Sequence, residues 1–139
     1  MIALDTNVLV RAIAAEADAD AATRAQATHA RKLLSSGRAL FVPVTVVEDL
    51  EWVLRGAYDM PREEIAAVLA DMLAVENLMI DRAAAVSHAV EWYRRGMDFS
   101  DALHLAQSGL CAELATFDAG FARKTRRLRL KPPVPAPVG

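Results

Sequence analysis

The chain has 139 residues, the length of one domain and about enough to bury roughly two-thirds of its unfolded surface around a core. Hydrophobic residues make up 54%, but 28 of them are Ala, and no run approaches the ~18 uninterrupted apolar residues of a spanning helix, which excludes a membrane protein and predicts a helix-rich cytoplasmic one. The net charge of −2 is unevenly spread: residues 1–118 hold 10 basic and all 18 acidic residues and residues 119–139 hold 6 basic and no acidic ones, formal charges of −8 and +6.

Residues 1–4 are a short apolar run stopped by Asp5, and Val8, Leu9, Ala12 and Ile13 follow at helical spacing, which predicts a buried strand feeding a helix. An Ala-rich helix over 17–36, with no identifiable cap at either end, stops before Gly37. Leu40–Val42 reads as a second buried strand closed by Pro43, after which Val46, Val47, Leu50, Val53 and Leu54 recur at helical spacing up to Gly56. Pro61 with Glu63 and Glu64 starts a further helix through Leu73, and Leu78–Ile80 is a third strand. Helices over 83–95 and 99–108 end at Gly96 and Gly109, and 113–116 is a fourth strand. Cys111 rules out an internal disulfide, and its apolar context predicts that it packs. Residues 131–139, with Pro132, Pro133, Pro135 and Pro137, are expected to be extended and poorly packed. Strands alternating with helices predict a three-layer α/β domain with a parallel sheet.

Acids fall where strands end. Asp5 follows the first strand, Asp118 follows the fourth, and Asp98 and Asp101 open a late helix. Ligands of open α/β sheets bind beyond the carboxyl ends of the strands, so these acids are expected to converge. Crowded carboxylates raise one another's pKa and are tolerated mainly when a cation neutralises them, and oxygen donors without a His or Cys cluster point to magnesium or manganese rather than zinc. Each acid also has a plainer reading: Asp5 and Asp98 as helix caps, Asp101 as a third-position acid, Asp118 as a turn residue. Capping does not explain why acids recur at one sheet edge.

The helix after Pro43 offers two further acids. At ~100° per residue, Asp49 lies roughly 90° and Glu48 about 170° from the centre of the apolar face, so Asp49 is expected to border the core and Glu48 to point outward, with Glu51 on the opposite border.

Four segments together resemble the PIN-domain nucleases, and within them the VapC-type toxins of bacterial toxin–antitoxin pairs. They are Ala3-Leu4-Asp5-Thr6-Asn7-Val8-Leu9-Val10-Arg11, the run from Pro43 through Glu51-Trp52-Val53-Leu54-Arg55, Asp98-Phe99-Ser100-Asp101-Ala102-Leu103-His104-Leu105-Ala106, and Thr116-Phe117-Asp118. The resemblance implies a three-layer α/β/α PIN-like domain with a short-stranded parallel sheet over 1–130, followed by the Pro-rich tail 131–139. It implies that Asp5, Asp101 and Asp118 bind metal with Asp98 as an accessory, and that Thr6, Asn7 and Thr116 hold the carboxylates and the attacking water. The family's acidic position after Pro43 is usually Glu; the register here gives Asp49, one methylene shorter, with Glu48 as the neighbour able to replace it after a small helix rotation.

A hard divalent ion among carboxylates can acidify a water and neutralise charge on a phosphoryl oxygen, the equipment of phosphodiester hydrolysis. The resemblance thus implies a Mg2+-dependent endoribonuclease, with Mn2+ as a possible substitute, restrained by a cognate VapB-type antitoxin and forming a homodimer. Trp52, Tyr58, Met60, Met72, Trp92 and Tyr93 are more apolar surface than a small domain readily hides, which also favours partners. Arg123, Lys124, Arg126, Arg127, Arg129 and Lys131 are the densest basic group, and Arg126 and Arg127 are the expected RNA contacts, a solvated terminal patch being the alternative. His104 reads as a general base or, more plainly, as a residue packed on its helix or hydrogen-bonded locally. The competing functions are a non-catalytic PIN-like binding module and phosphoryl transfer through an aspartyl-phosphate at Asp5. The latter is weakened because Asn7 offers no second acid and no Gly-rich phosphate loop follows.

Overall fold

Parallel strands cannot be joined by a hairpin, and the computed structural model, which describes residues 1–14 and 18–138, joins its three strands through helices. The sheet, β1 (Ile2–Ala3), β2 (Leu40–Val42) and β3 (Leu78–Ile80), has the spatial order β1-β2-β3. Ile2 pairs with Leu40 and Leu40 with Leu78, and Leu4 N–H donates to the Phe41 carbonyl at 2.8 Å just beyond β1. Leu40, Val42, Leu78 and Ile80 are buried, whereas Met79 is 55% exposed, so β3 is covered on one face. With its helices this is the expected α/β class with a short parallel sheet, and it is consistent with a PIN-like fold. The chain forms two compact units, Met1–Ala83 and Ala84–Gly139.

In the first unit the crossovers are α1 (Thr6–Ile13) with α2 (Ala21–Leu34), and α3 (Val44–Gly56) with α4 (Arg62–Ala74). α1 packs on α2 and α3, α3 on α4, and α4 on β3. The Asp5 carboxylate accepts the Thr6 N–H at 2.7 Å and starts α1. Asp20 accepts the Thr23 N–H at 2.7 Å and starts α2, a cap that the Asp18-Ala19-Asp20 stretch hides because either acid can serve; residue 17, where that helix was expected to begin, lies outside the described residues.

α3 departs from the helical-wheel expectation. Its buried face is Val47, Leu50, Glu51 and Leu54, with Val46 and Val53 only half-buried, so the core side is rotated toward Glu51. Glu51 enters the interior because Arg55, one turn on, donates to its carboxylate at 2.8 Å from a position 49% exposed, so the charge is matched where it is buried. The rotation leaves Asp49 exposed and Glu48 half-buried, the reverse of the expected order.

The second unit contains α5 (Ala83–Arg94) beyond its first residue, α6 (Phe99–Ala106) and α7 (Ala119–Arg127). Gly96, at φ +105°, turns the chain out of α5, and Tyr93 meets Phe99 edge-to-face at 5.4 Å to tie α5 to α6. The expected fourth strand over 113–116 does not form. Leu114 N–H donates to the Pro133 carbonyl at 3.0 Å, but Pro132, Pro133, Pro135 and Pro137 have no N–H to return, so a ladder cannot propagate there. Two residues anchor the tail, Pro132, which is buried, and Val134, which is 1% exposed, while Lys131, Pro133, Pro135, Ala136 and Val138 are exposed, as an extended and poorly packed end implies. Cys111 is exposed, not packed, and of the six apolar residues expected at the surface Trp52 is exposed, while Met72 and Tyr93 are buried and the others half-buried. No helix among the described residues is long and apolar enough to cross a membrane.

A candidate acidic site beside a basic helix

The N-termini of α6 and α7 are built alike. At α6, Asp98 Oδ1 accepts the Asp101 N–H at 3.0 Å. At α7, Asp118 Oδ1 accepts the Phe121 N–H at 3.1 Å, and the Thr116 hydroxyl accepts the Asp118 N–H at 3.0 Å, which fixes the backbone carrying the acid. Asp5 and Asp98 are therefore helix caps, and Asp118 is a cap as well, where its plainer reading was a turn residue. Capping leaves ligation open, since each cap uses one carboxylate oxygen and a carboxylate has two. Asp101 sits in the first turn of α6.

Asp98, Asp101 and Asp118 line one concavity of about 620 Å³ with Gly120, Arg123, Lys124, Arg126 and Arg127. Partial burial, then the neighbouring carboxylates of Asp98 and Asp118, push the Asp101 pKa upward, against the smaller opposing pull of His104 and Lys124. Lys124 is committed elsewhere by one bond, its ammonium donating to the Gly96 carbonyl at 3.0 Å. Thr116 was expected to hold the carboxylates and the attacking water; its hydroxyl here bonds the backbone of Asp118 and not its carboxylate. His104 is exposed, and reaches Asp101 through its charge.

Asp98 and Asp118 raise the proton affinity of Asp101, and oxygen-donor acids brought together in this way are the donor chemistry that a hard divalent cation relieves. Gly120 serves the cap: a Cβ there would stand 3.3 Å from Asp118 Oδ1, the oxygen that accepts the Phe121 N–H, so the glycine lets that bond form without crowding. The acids are not drawn into a closed cage, for no cluster of three or more His, Cys, Asp or Glu side chains in a metal-holding arrangement occurs among the described residues. Asp98, Asp101 and Asp118 lie along an open and solvated concavity, and their oxygen chemistry, not a preformed ligand arrangement, is what suits such an ion.

In the first unit, Asp5 is exposed at the end of β1, Thr6 is buried, and Asn7 lines a separate, largely apolar concavity between α1 and α2 with Arg11 and His29. Sequence reasoning missed α7, Gly120 and the exposure of Phe117. An Asp two residues before a Gly, followed by Phe121, Ala122 and Thr125 at helical spacing, was the available signal for the first two.

The sequence matches the family described as PIN domain over residues 2–127. No curated protein and no solved structure matches the chain.

Proposed function

The chain belongs to the PIN domain family, whose members are generally nucleases, and on that premise we propose that it is a divalent-metal-dependent endoribonuclease. One observation carries the reading: three acids and three arginines line the same concavity, and a site for cutting a polyanion needs both. Acids alone would repel the substrate; Arg123, Arg126 and Arg127 bring phosphates to them. Asp101 and Asp118 hold the cation, Mg2+ or in its place Mn2+, with Asp98 beside them. When bound, the ion supplies charge neutralisation at a phosphoryl oxygen and makes the attacking water more acidic. The chain's own groups do the rest. The Asp98 and Asp118 caps orient the carboxylates, Thr116 fixes the Asp118 backbone, and the arginines hold the phosphates on either side of the cut.

Asp5 and Asp49 are proposed as further acids of the hydrolysis, Thr6 and Asn7 as their polar neighbours, and Glu48 as the alternative to Asp49. This rests on the resemblance of their segments to the family's motifs. By the same resemblance to VapC-type toxins, the protein is proposed to act in the cytoplasm under restraint by a VapB-type antitoxin, as a homodimer to which Trp52, 65% exposed on α3, contributes apolar surface.

The test is incubation of the purified protein with a pool of single-stranded RNA in magnesium, in manganese and with excess chelator. Cleavage with either metal and none with chelator is expected. Arg126→Ala with Arg127→Ala should lower RNA affinity and reduce the slope of log affinity against log salt by about 1.4, two contacts at ~0.7 each. Intact RNA under every condition would leave the binding-module reading in its place.

A further inference from the structure

Phe117 is the residue immediately before Asp118, and its side chain is 92% exposed, unlike Phe99 and Phe121 in the same unit, which are buried. Burying a phenylalanine ring is strongly favourable, so a ring left in water beside a candidate active site is not explained by packing. Its position is fixed nonetheless. The Thr116 hydroxyl holds the Asp118 N–H at 3.0 Å, and Asp118 in turn caps α7, so the backbone on the C-terminal side of Phe117 is bonded into the helix start.

Two concavities meet at this point of the chain. Asp118 and the arginines of α7 line the charged one. Phe117 lines the other, a hollow of about 270 Å³ whose remaining wall includes Thr116, Pro135 and Val138, the last also 92% exposed. A phosphate-holding surface next to a small, mostly apolar hollow with an exposed aromatic ring matches the alternation within a nucleotide, whose charged backbone and flat, apolar base faces need different surroundings.

We propose that Phe117 is a stacking platform for one unpaired nucleobase of the strand whose phosphates lie on Arg123, Arg126 and Arg127. The proposal rests on the nuclease reading above and narrows it to single-stranded or looped substrate, because in a duplex both faces of each base are already stacked and a protruding ring has nothing to cover. Phe117 acts by positioning: it anchors the base next to the phosphodiester and takes no part in bond breaking.

The experiment uses the whole chain in chelator, so that no turnover occurs, and a 12-nucleotide single-stranded RNA carrying one 2-aminopurine, whose fluorescence is quenched when it stacks. A hairpin of the same composition, its bases all paired and its two strands joined by a non-nucleotide linker so that no base is looped out, serves as the control. Phe117→Ala should weaken binding of the single strand about tenfold, from the ~1–3 kcal/mol that stacking of one base contributes. It should also abolish the quenching, leave hairpin affinity and the salt slope unchanged, and in magnesium raise KM more than it lowers kcat. Phe117→Tyr, which keeps the ring, should restore quenching and affinity; the ring is solvent-exposed, so both variants should match the parent in thermal unfolding. Equal single-strand affinity in Phe117→Ala and parent overturns the platform while cleavage by the parent upholds the nuclease reading, and leaves the ring to a protein partner. Equal loss on strand and hairpin also overturns it. No binding and no cleavage by the parent removes both together.

Discussion

α3 and α6 each draw one carboxylate partly or wholly out of bulk water, Glu51 and Asp101, and they handle the charge in opposite ways. Glu51 is 5% exposed at its side chain and has Arg55 at 2.8 Å. Asp101 is half-buried, and the first charges it meets are the carboxylates of Asp98 and Asp118. A buried acid matched by an arginine stabilises a helix face and has its electrostatic need met from within the chain. A crowded acid among acids has that need unmet and is relieved by something that comes from outside, a proton or a cation. Burial alone therefore does not mark a functional acid; the sign of its neighbours does.

The largest effect that sharpens this contrast is in cleavage. Asp101→Asn and Asp118→Asn, made singly, should each lower metal-dependent RNA cleavage by at least about a hundredfold, while the folded protein without metal survives. Asn caps a helix nearly as well as Asp, so Asp118→Asn keeps α7. Full activity in both variants would place these acids with Glu51 as structural groups.

Next comes stability at α3. Arg55→Ala should cost about 2 kcal/mol and lower the unfolding temperature by several degrees, because it takes the short charged bond from a buried carboxylate. Cleavage by the fraction that remains folded should be nearly unchanged. A variant as stable as the parent would mean that Glu51 is held by its other surroundings.

The neighbouring acids divide the two behaviours within one helix. Asp49→Asn should lower cleavage about tenfold with little change in unfolding temperature, and Glu48→Gln, at a half-buried position, should do the reverse and cost roughly 0.5–1 kcal/mol. Activity profiles that are exchanged between the two variants would assign the family's acidic position to Glu48.

The smallest effect is a pH dependence. A pKa raised in the folded state means that Asp101 favours folding when protonated, so its contribution is fully present below the unfolded-state value and is lost as pH rises through the raised folded-state value. Asp101→Asn should therefore be slightly more stable than the parent near pH 7 without metal, by no more than about 0.5 kcal/mol at a site this exposed, and the gap should close as the pH falls below the carboxylate range. Metal should stabilise the parent and not the variant. Thermal scans from pH 3 to 8, with and without magnesium, read both.

The legible parts of this chain are those in which local pattern and tertiary environment agree. β2 and β3 are apolar runs bounded by a proline or a turn, and their bounds follow from the sequence alone. The helix starts at Pro43 and Pro61 are equally plain, because proline has no N–H to lose at a helix end. The α3 wheel misled because it centres the buried face on apolar residues alone and leaves Glu51 at a border, and Glu51 goes inward only with Arg55 at its side. Residues 113–116 carry a strand-like composition, but a strand exists only where a partner can return its hydrogen bonds, and the neighbour here is proline-rich. α7 was hidden by its charge: Arg123, Lys124, Arg126 and Arg127 leave few apolar positions to show a period. The motifs that signal the acids were readable, whereas the roles of Gly120 and Phe117 depend on what lies beside them in space.

The Asp98 and Asp118 caps carry a consequence for how firmly the site would hold a cation. Each marks a helix beginning, and a helix beginning carries roughly half a positive charge from its aligned peptide dipoles. Two such termini border the acidic concavity, and the guanidinium groups of α7 add to them. The field that an arriving ion meets is therefore weaker than three aspartates alone would create. On the proposed function, an ion there is expected to exchange quickly and its occupancy to follow the surrounding magnesium concentration, instead of being settled once at folding.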